Sequence, residues 1–352
     1  MKIDVAVTGL NATDNPGPGL GIIRAIRAWP EFQGRIIGLA YDAKEPAIYL
    51  GEICDEVYLI PYPSAGIAAL SERLNYILAR SHLDCVIPSL DSELNGFLAL
   101  EPELARKNVR TLLPSREMLD SREKRRLGRL CTQAKVGYPK TREISDLTNL
   151  SSVAAEIGYP VVIKGVFYEA EVAHTLAELE KAAVSISARW GFPLLAQEFV
   201  KGEEFDIALV GDGTGKLQGL TAMRKMQLTT KGKAWGGMTL DAAHIVEIVR
   251  KLMRVLKWRG PMEVELKRRD ADGKFFLIEM NPRFPAWIYL SHGAGCNLPA
   301  LLLECMFGRP PKRTVVGRAG TMFLRVAQDH ILSIEEYEKM LVSGELIRVK
   351  ER

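Results

Sequence analysis

A predicted hairpin near residue 270 constrains this chain most strongly, because its second strand is apolar until it ends in polar side chains. Residues 275–278 are bulky or β-branched, which is typical of a buried strand. The Asp272-Gly273 pair before them is a tight-turn signal, and residues 262–267 form a strand-like run upstream. The two runs therefore predict a β-hairpin whose second strand ends at Glu279.

The polar residues at this hairpin suit phosphate chemistry. Hairpin pairing would bring Glu265 on the first strand near Glu279 on the second, with Asn281 beyond the strand end. Carboxylate and carboxamide oxygens are hard ligands, suited to magnesium held together with a substrate's phosphates. Arg283 adds a planar cation that can hold a phosphate in bidentate fashion. This combination stabilises phosphoryl transfer.

An alternative interpretation places the polar residues of the first strand in solvent. Glu263, Glu265 and Lys267 alternate as they would on the exposed face of an edge hairpin. The second strand favours the functional interpretation, because Glu279 follows an apolar run without any polar alternation. Ligands commonly bind at the ends of buried strands in α/β proteins.

Length and composition indicate a globular protein with more than one lobe. A chain of 352 residues exceeds one ordinary core, so two or three lobes are expected. The net charge of +4 is slight for this length and permits small anionic ligands without implying nucleic acid. No apolar run approaches the roughly 18 residues of a membrane span. The chain starts directly with a strand pattern, so we expect neither a membrane segment nor a signal peptide.

The cysteines exclude two kinds of structural cross-link. They are odd in number, scattered, and form no Cys-x-x-Cys pair, at positions 54, 85, 131, 296 and 305. This usage argues against a disulfide framework or a zinc site and favours a reducing, cytoplasmic compartment.

Residues 1 to about 115 alternate strand and helix patterns, which predicts one α/β lobe. The predicted strands are residues 2–8, 35–40, 57–60, 85–88 and 109–113. A glycine-rich turn at residues 9–21 precedes a helix, whose start is either an anion site or a plain connection. Asp91 and Glu93 follow the fourth strand, where ligands bind in such sheets, or they cap the next helix instead.

Two basic features follow this lobe. Residues 120–135 have the pattern of an amphipathic helix capped by Asp120, with a basic face that includes Lys124 and is usually explained by solvation. Lys164 ends the apolar run 160–164, where it is either a phosphate ligand or an edge lysine that reaches back to water. Residues 225–240 contain Lys225, Lys231 and Lys233 and are expected to form a basic mobile loop.

Further elements complete the predicted order. Helices are expected at 151–157, at 175–190 with a capping box at Thr175, at 241–257, at 298–306 and after Ser333. Strands are expected at 193–200, 202–210, 217–224 and 321–326 and at the chain end.

This order of parts resembles the ATP-grasp superfamily, and most closely its members that look like the carbamoyl phosphate synthase large subunit. The similarity covers residues 115 to 310, and the first lobe looks like the preATP-grasp domain. The resemblance implies a mixed α/β and α+β architecture, in which a doubly wound α/β lobe is followed by a two-lobed ATP-grasp fold. The expected divisions are 1–115, 116–195 and 196–310, with a C-terminal extension at 311–352.

The most specific match is the segment 279–283, which is similar to the family's Glu-Met-Asn-Pro-Arg. In the family the Glu and Asn bind magnesium, and the Arg contacts the transferred phosphate. The resemblance therefore implies that Glu279 and Asn281 are metal ligands and that Arg283 is catalytic. Glu265 is preferred over Glu263 as the first metal carboxylate, because its separation from Glu279 (279 − 265 = 14) suits the synthetase-type hairpin. Glu263 faces the same way and remains open.

Other matches imply a nucleotide site. Ile163-Lys164 resembles the family's pair whose cation touches the α- and β-phosphates, which gives Lys164 a catalytic as well as a binding part. Lys124 stands where the family has a basic residue for the nucleotide. The segment Glu198-Phe199-Val200 resembles the hinge whose backbone binds adenine, and Glu204 resembles the acid that holds the ribose hydroxyls.

One segment departs from the family. Relatives have a long glycine-rich loop after the Ile-Lys strand, which covers the triphosphate with backbone amides. Here residues 165–173 contain a single glycine and two acids. Either the basic segment 225–240 covers the phosphates instead, or nucleotide binding is weak.

The resemblance implies an ATP-dependent ligase with Mg²⁺, or Mn²⁺ as an alternative, as its cofactor. A carboxylate would be phosphorylated to an acyl phosphate, and an amine would then form an amide and release phosphate. The expected partners are small-molecule carboxylates and amines, without nucleic acid or membrane, and the family's common dimerisation makes a homodimer an open alternative. Residues 17–21, Arg283, Trp287 and His292 are candidates to face the acceptor. The alternatives are kinase-like or carbamoyl phosphate synthase-like use of ATP, and a non-catalytic protein that binds a nucleotide or a partner.

Overall fold

A computed structural model describes residues 1–166, 169–228 and 234–348 of the chain. The described strands, numbered in chain order, are β1 Val5–Thr8, β2 Ile36–Ala40, β3 Glu56–Leu59, β4 Cys85–Ile87, β5 Thr141–Ile144, β6 Val161–Gly165, β7 Ala170–Ala173, β8 Leu194–Glu198, β9 Gly202–Asp212, β10 Leu217–Leu228, β11 Ala234–Thr239, β12 Arg259–Arg269, β13 Phe275–Asn281, β14 Val315–Val316, β15 Met322–Leu324 and β16 Glu345–Ile347.

The described helices are α1 Gly19–Arg27, α2 Ile67–Leu78, α3 Leu94–Arg106, α4 Arg116–Ser121, α5 Leu127–Ala134, α6 Leu150–Ile157, α7 Leu176–Trp190, α8 Ala243–Leu256, α9 Tyr289–Gly293, α10 Leu298–Met306 and α11 Ile334–Ser343. Short 3₁₀ turns lie at Pro46–Tyr49, Pro63–Ala65 and Asp91–Glu93. Within the described ranges, no helix is both long enough and apolar enough to cross a membrane.

The first sheet has the order β16-β3-β2-β1-β4, and its strands β1 to β4 are parallel. Every residue of β1, β2 and β4 is buried, as expected of parallel strands covered on both faces. The α/β alternation predicted for this lobe is therefore confirmed. The predicted strand at 109–113 is wrong, because only a single bridge joins Arg110 to Cys85. The carbonyl of Leu113 accepts a hydrogen bond from Arg259 Nε in β12 rather than from a strand of the first sheet.

The second sheet is small and antiparallel, with the order β5-β8-β6-β7. Helices α6 and α7 cover it and contribute Ala154, Leu179 and Ile186 to a separate apolar cluster. The capping prediction for α7 is confirmed, because the Thr175 hydroxyl accepts a hydrogen bond from Glu178 N at 3.2 Å. Strand β8 lies wholly in this sheet, so the division expected at residue 195 falls inside a strand.

The third and largest sheet has the order β13-β12-β9-β10-β11-β15, with β14 beside β10. It contains the predicted hairpin, in which β12 and β13 pair antiparallel and Glu265 lies opposite Glu279. Within 311–348, the strands join the other sheets rather than forming a separate extension. Strands β14 and β15 join this sheet, whereas β16 pairs with β3 in the first sheet, so the end of the chain ties two lobes together.

The predicted continuous basic helix at 120–135 is wrong. Helix α4 is capped by Ser115, whose hydroxyl accepts a hydrogen bond from Met118 N, and Asp120 lies inside this helix. Residues 122–126 then form turns before α5. The break lets neighbouring basic side chains reach carboxylates in different parts of the protein, which a single helical face would not allow. These ion pairs are Arg122–Asp91 at 3.9 Å, Lys124–Glu279 at 3.6 Å and Arg125–Glu143 at 2.7 Å.

The predicted basic mobile loop at 225–240 is also mostly wrong. Strand β10 continues to Leu228 and β11 begins at Ala234, so most of this segment is a strand pair. Lys225 lies in β10 with only 6% of its side chain exposed. Its neighbouring carboxylates account for its burial, because they compensate its charge. Lys231 and Lys233 lie outside the described residues.

Gly260 fixes the start of the strand that carries Glu263 and Glu265. Its φ is +89°, and an added Cβ would lie 2.2 Å from the carbonyl oxygen of Leu112. We expect Gly260→Ala to lower the free energy of unfolding by about 1–3 kcal/mol through backbone strain, with the backbone clash adding to that loss. Chemical denaturation would measure the change. Gly273→Ala is the matched control, because Gly273 also has a positive φ but would place its Cβ in open space. Equal losses in both variants would contradict the proposed clash.

Candidate active site

A cavity of about 1250 Å³ lies where the three sheets and the loops of the first lobe meet. The loops after β1, β2 and β4 form one wall, and the hairpin β12–β13 forms another. Six of the residues predicted to act on the nucleotide or metal line this cavity, namely Lys124, Lys164, Glu265, Glu279, Asn281 and Arg283. The tertiary structure thus gathers residues that are as much as 159 positions apart in sequence (283 − 124 = 159).

The hairpin register places the predicted metal ligands side by side. Glu265 pairs with Glu279, and Glu263 pairs with Asn281. Residues two apart on a strand share a face, so these four side chains point the same way. Asn281 Nδ2 donates hydrogen bonds to Glu263 Oε2 at 3.0 Å and to Glu265 Oε1 at 3.4 Å. The hairpin alone therefore assembles a compact set of oxygen ligands.

The environments of Glu263 and Glu265 differ. Glu263 is 6% exposed and accepts a hydrogen bond from Arg283 Nη1 at 2.6 Å. Burial raises the pKa of Glu263, and the charge of Arg283 opposes that shift. Arg283 Nε also lies 3.6 Å from Asp91 Oδ2, so two carboxylates orient the guanidinium. This arrangement makes Glu263 the residue that orients Arg283, and Glu265 as the metal ligand stays a prediction.

The sequence interpretation missed Asp206 and Lys225. Asp206 lies on β9 within an apolar run, and its carboxylate oxygen lies within 4.8 Å of oxygens from Glu263 and Glu265. Lys225 Nζ lies 3.0 Å from Glu265 Oε2 and 3.1 Å from Asp206 Oδ1. A single carboxylate inside a buried strand was the available signal for Asp206. Lys225 was hidden because neighbouring glycines and lysines made its segment resemble a loop.

Opposing effects set the charge states of this cluster. Burial disfavours the ammonium form of Lys225, but the negative charges of Glu265 and Asp206 outweigh burial and raise the pKa of Lys225. Burial together with the charge of Glu265 raises the pKa of Asp206. Burial also acts to raise the pKa of Glu265, but Lys225 outweighs it and lowers that pKa. Lys225 is therefore the internal counter-ion that keeps Glu265 ionised.

The donor set fits a hard divalent cation. Glu265, Glu279 and Asn281 supply oxygen atoms, which Mg²⁺ and Mn²⁺ prefer. Glu279 keeps 36% of its side chain exposed, and its salt-bridge partner Lys124 lies 3.6 Å away. Because Lys225 already neutralises part of the Asp206–Glu265 charge, the Glu279 side of the cluster is the better position for an added cation.

Two lysines that line the cavity, Lys164 and Lys124, supply positive charge. Lys164 Nζ donates a hydrogen bond to Gln197 Oε1 at 2.7 Å, which fixes the ammonium at the end of β6. Burial lowers the pKa of Lys164 to about 8, although the charge of Glu279 acts in the other direction. With Lys124 beside Glu279, the cavity brings cations and carboxylates together, which are the groups that contact metal–phosphate complexes in proteins.

The residues predicted to bind adenine and ribose are not among the described residues that line the cavity. Glu198 N donates to Lys140 O at 2.8 Å, and Phe199 N donates to Pro160 O at 3.3 Å, so both amides are engaged. Val200 is buried at the junction between β8 and β9. Glu204 pairs with Lys267 at 3.0 Å. Their parts in nucleotide binding stay predictions.

The candidates for the acceptor side divide in two. Gly17 and Trp287 line the cavity, together with Trp235 from the segment predicted as a loop. His292 lies outside the described wall, where its ring stacks on Tyr289 with centroids 5.6 Å apart. From the segment that replaces the family's glycine-rich loop, Val166, Glu169 and Ala170 line the cavity, and residues 167–168 lie outside the described ranges.

Comparison with known families agrees with this geometry. Residues 192–328 match a family model described as ATP-grasp in the biosynthetic pathway with Ter operon. This match includes the hairpin and the strands that carry Asp206 and Lys225.

Individual relatives extend the similarity over the rest of the chain. The carbamoyl phosphate synthase large chain of Methanoculleus marisnigri is 31% identical over 245 residues, which is 62% of this chain and 22% of that protein. The biotin carboxylase domain dimer of a 2-oxoglutarate carboxylase from Hydrogenobacter thermophilus was solved with MgADP, ADP and bicarbonate. It has a TM-score of 0.67 at 15% identity, and the alignment covers 90% of this chain and 72% of the carboxylase chain. An ADP complex of N5-carboxyaminoimidazole ribonucleotide synthetase has a TM-score of 0.68 at 14% identity. The alignment covers 97% of this chain and 84% of the synthetase chain.

These comparisons define the fold more closely than the activity. The chain spans only 19–22% of the length of the carbamoyl phosphate synthase large chains that it matches. The structural neighbours are too distant in sequence to show more than the fold, and they confirm the mixed α/β architecture. This chain carries an ATP-grasp domain, with homologues among the large chains of carbamoyl phosphate synthase.

Proposed function

We propose that this protein is an ATP-dependent ligase that phosphorylates a carboxylate and joins the acyl group to an amine. The observation that carries this proposal is the cavity in which Lys124 and Lys164 face Glu265, Glu279, Asn281 and Arg283. Few chemistries use two carboxylates, a carboxamide and three cations around one space, and phosphoryl transfer is foremost among them. The ATP-grasp domain supports the same assignment.

Glu265, Glu279 and Asn281 would hold the divalent cation, and Asn281 would present its carboxamide oxygen while Nδ2 stays bonded to Glu263. A bound Mg²⁺ would neutralise charge on the transferred phosphoryl group. Lys164 and Lys124 would bind the phosphates of ATP. Adenine would lie toward the segment 198–200, with Glu204 on the ribose.

The catalytic contribution of the chain is positioning and charge compensation. Arg283 would contact the γ-phosphoryl group as it passes to the substrate carboxylate, giving an acyl phosphate and ADP. Glu263 and Asp91 hold the guanidinium in place, so it needs no reorganisation during transfer. The amine would then attack the acyl carbon, form the amide bond, lose a proton and expel inorganic phosphate.

The decisive test is to trap the acyl phosphate. Purified protein would be incubated with Mg·ATP and pools of carboxylic acids, with hydroxylamine in place of the amine. A hydroxamate that appears together with ADP would support the ligase. Phosphorylated product without hydroxamate would indicate kinase-like use of ATP, and Mg·ATP binding without ADP release would indicate a non-catalytic nucleotide-binding protein. Carbamoyl phosphate from bicarbonate and ammonia would indicate synthase-like chemistry.

Lys164 gives a pH prediction for nucleotide binding. Its pKa is lowered to about 8, so the ammonium is mostly present at pH 7 and is lost as the pH rises through 8. Phosphate binding requires the charged form, so we expect ATP affinity to decrease between pH 7 and pH 9, by about tenfold per unit well above the pKa. Calorimetry in buffers of different ionisation enthalpy should also detect proton uptake on binding above pH 8.

Variants of Lys164 make this prediction specific. Lys164→Met should weaken ATP binding and abolish the pH dependence, whereas Lys181→Met, at an exposed position of α7 in the same lobe, should change neither. A wild-type pH profile in the Lys164→Met variant would exclude Lys164 as the titrating phosphate ligand.

We assign the enzyme to the cytoplasm, because all five cysteines carry free thiols and a reducing compartment keeps them so. Its substrates would be small-molecule carboxylates and amines. A homodimer remains part of this proposal, in keeping with the dimeric biotin carboxylase domain among the structural neighbours.

A further inference from the structure

Unpartnered polar atoms are concentrated in the cavity. Among the described residues, eight buried side-chain nitrogen or oxygen atoms have no hydrogen-bond partner. Six of the eight belong to residues that line the cavity, namely Asn15, Glu45, Asp91, Arg122, Asp206 and Trp287. Burial of a polar atom without a partner is unfavourable, so such a concentration at one place is typical of a ligand-binding site.

Three of the six already face an ion partner. Asp206 Oδ1 lies 3.1 Å from Lys225 Nζ. Asp91 Oδ1 lies 3.9 Å from Arg122 Nη2, so the charges of these two residues compensate each other. The oxygens of Asn15 and Glu45 and the indole nitrogen of Trp287 remain, and these three atoms have no partner among the described residues.

Asn15 and Glu45 lie at the carboxyl edge of the first sheet. Asn15 is in the loop after β1, and Glu45 is in the loop after β2. Ligands of parallel α/β sheets bind outside the carboxyl ends of the strands. Glu45 is only 8% exposed, and its Oε1 accepts a hydrogen bond from Tyr41 N at 2.8 Å, so the carboxylate is held in place while Oε2 has no partner. This edge of the cavity therefore presents two hydrogen-bond acceptors, one of them a carboxylate.

Donors lie on another part of the same wall. Trp287 is 5% exposed, and its Nε1 donates to no described group. Arg325 Nη2 donates to Ala286 O at 3.2 Å, and its guanidinium lies 5.8 Å from the centre of the Trp235 ring. Ala286, Trp287, Trp235 and Arg325 all line the cavity. A guanidinium and an unpartnered indole N–H that line one cavity are donors suited to a carboxylate.

We propose that the amine substrate is an amino acid that binds in this part of the cavity, with its ammonium on Glu45 and Asn15 and its carboxylate toward Trp287 and Arg325. The inference rests on the proposed ligase function, since it names the amine that would attack the acyl phosphate. Charge also supports the placement of the ammonium group, because it brings hydrogen-bond donors and positive charge to the amide oxygen of Asn15 and the carboxylate of Glu45. Burial raises the pKa of Glu45, and a bound ammonium would compensate that cost.

The test measures binding rather than turnover. Proteinogenic L-amino acids and their N-acetyl derivatives would be compared by thermal shift and calorimetry, with and without Mg²⁺ and a non-hydrolysable ATP analogue. At least one free amino acid should bind about tenfold or more tightly than its N-acetyl form. Glu45→Gln and Asn15→Ala should each lower that affinity about tenfold or more, whereas Glu52→Gln, at an exposed position of the same lobe, should leave it unchanged.

Trp287→Phe separates the two ends of the ligand. It keeps the aromatic packing but removes the indole N–H, so it should weaken binding of the free amino acid more than binding of the methyl ester. The proposal is overturned if no amino acid binds better than its N-acetyl form, or if Glu45→Gln and Asn15→Ala both bind as the wild type does. Amino-acid binding that depends on Glu45 and Asn15, without any ADP release, would support the amino-acid site but contradict the proposed ligase function and the substrate role of the bound amino acid.

Discussion

We expect the Glu279→Gln variant to lose about 10³-fold or more in kcat and to lose the metal dependence of nucleotide binding. Glu279 lies two residues before the end of β13, which runs to Asn281 rather than ending at Glu279 as the sequence predicted. It lies opposite Glu265 in the hairpin and keeps part of its side chain exposed to the cavity. Glutamine keeps the shape but removes the negative charge that a divalent cation requires. Calorimetry of Mg·ATP binding, with and without a chelator, and an assay of ADP release would measure the two effects.

The control is Glu247→Gln, an exposed glutamate on α8 that should change neither binding nor activity. Glu265→Gln and Glu263→Gln then distinguish the two candidate ligands. Loss of Glu265 should reduce metal affinity, whereas loss of the Glu263 charge should lower kcat through Arg283 with metal affinity largely kept. Unchanged turnover in the Glu279→Gln variant would contradict the assignment of Glu279 as a metal ligand.

We expect Lys225→Met to lower the free energy of unfolding by about 3–5 kcal/mol, because it leaves the buried carboxylate of Asp206 and the partly buried carboxylate of Glu265 without their counter-ion. The ammonium lies 3.0 Å from Glu265 and 3.1 Å from Asp206, and 6% of the Lys225 side chain is exposed. Breaking one member of a buried charge cluster costs more than replacing the whole cluster with neutral groups. Urea denaturation of the nucleotide-free protein would measure the loss.

A double variant tests the charge explanation. Adding Asp206→Asn to Lys225→Met should recover part of the lost stability, since it removes one uncompensated carboxylate. Lys216→Met, at an exposed site immediately before β10, is the matched control and should stay within about 0.5 kcal/mol of the wild type. If the double variant were no more stable than Lys225→Met alone, the effect would come from packing rather than from charge.

Local pattern was sufficient for much of the fold. The apolar run of β13, the turn before it and the strand upstream predicted a hairpin, and the structure confirms it. The α/β alternation of the first lobe and the cap of α7 at Thr175 are confirmed as well. These features depend on residues close in sequence, where side-chain period and capping chemistry act directly on the backbone.

Errors arose where tertiary contacts override local pattern. Residues 120–135 have the period of one helix, but their basic side chains pair with carboxylates from three other parts of the chain, and the helix breaks at 122–126. Residues 225–228 resemble a mobile basic loop, yet they continue β10, because Lys225 has buried carboxylate partners. Propensity is a weak guide wherever a distant charge compensates the burial of a polar group.

The sequence by itself determined which chemistry is available: two carboxylates, a carboxamide and an arginine at the end of one hairpin, because strand period and pairing fix their relative positions locally. Only the tertiary structure decided how that chemistry is arranged. It brought Lys124 to Glu279, used Glu263 to hold Arg283, placed Lys225 among the acids and turned Asn15, Glu45 and Trp287 toward the same cavity. These relations join residues far apart in the chain, and they depend on the packing of three sheets, which no local pattern specifies.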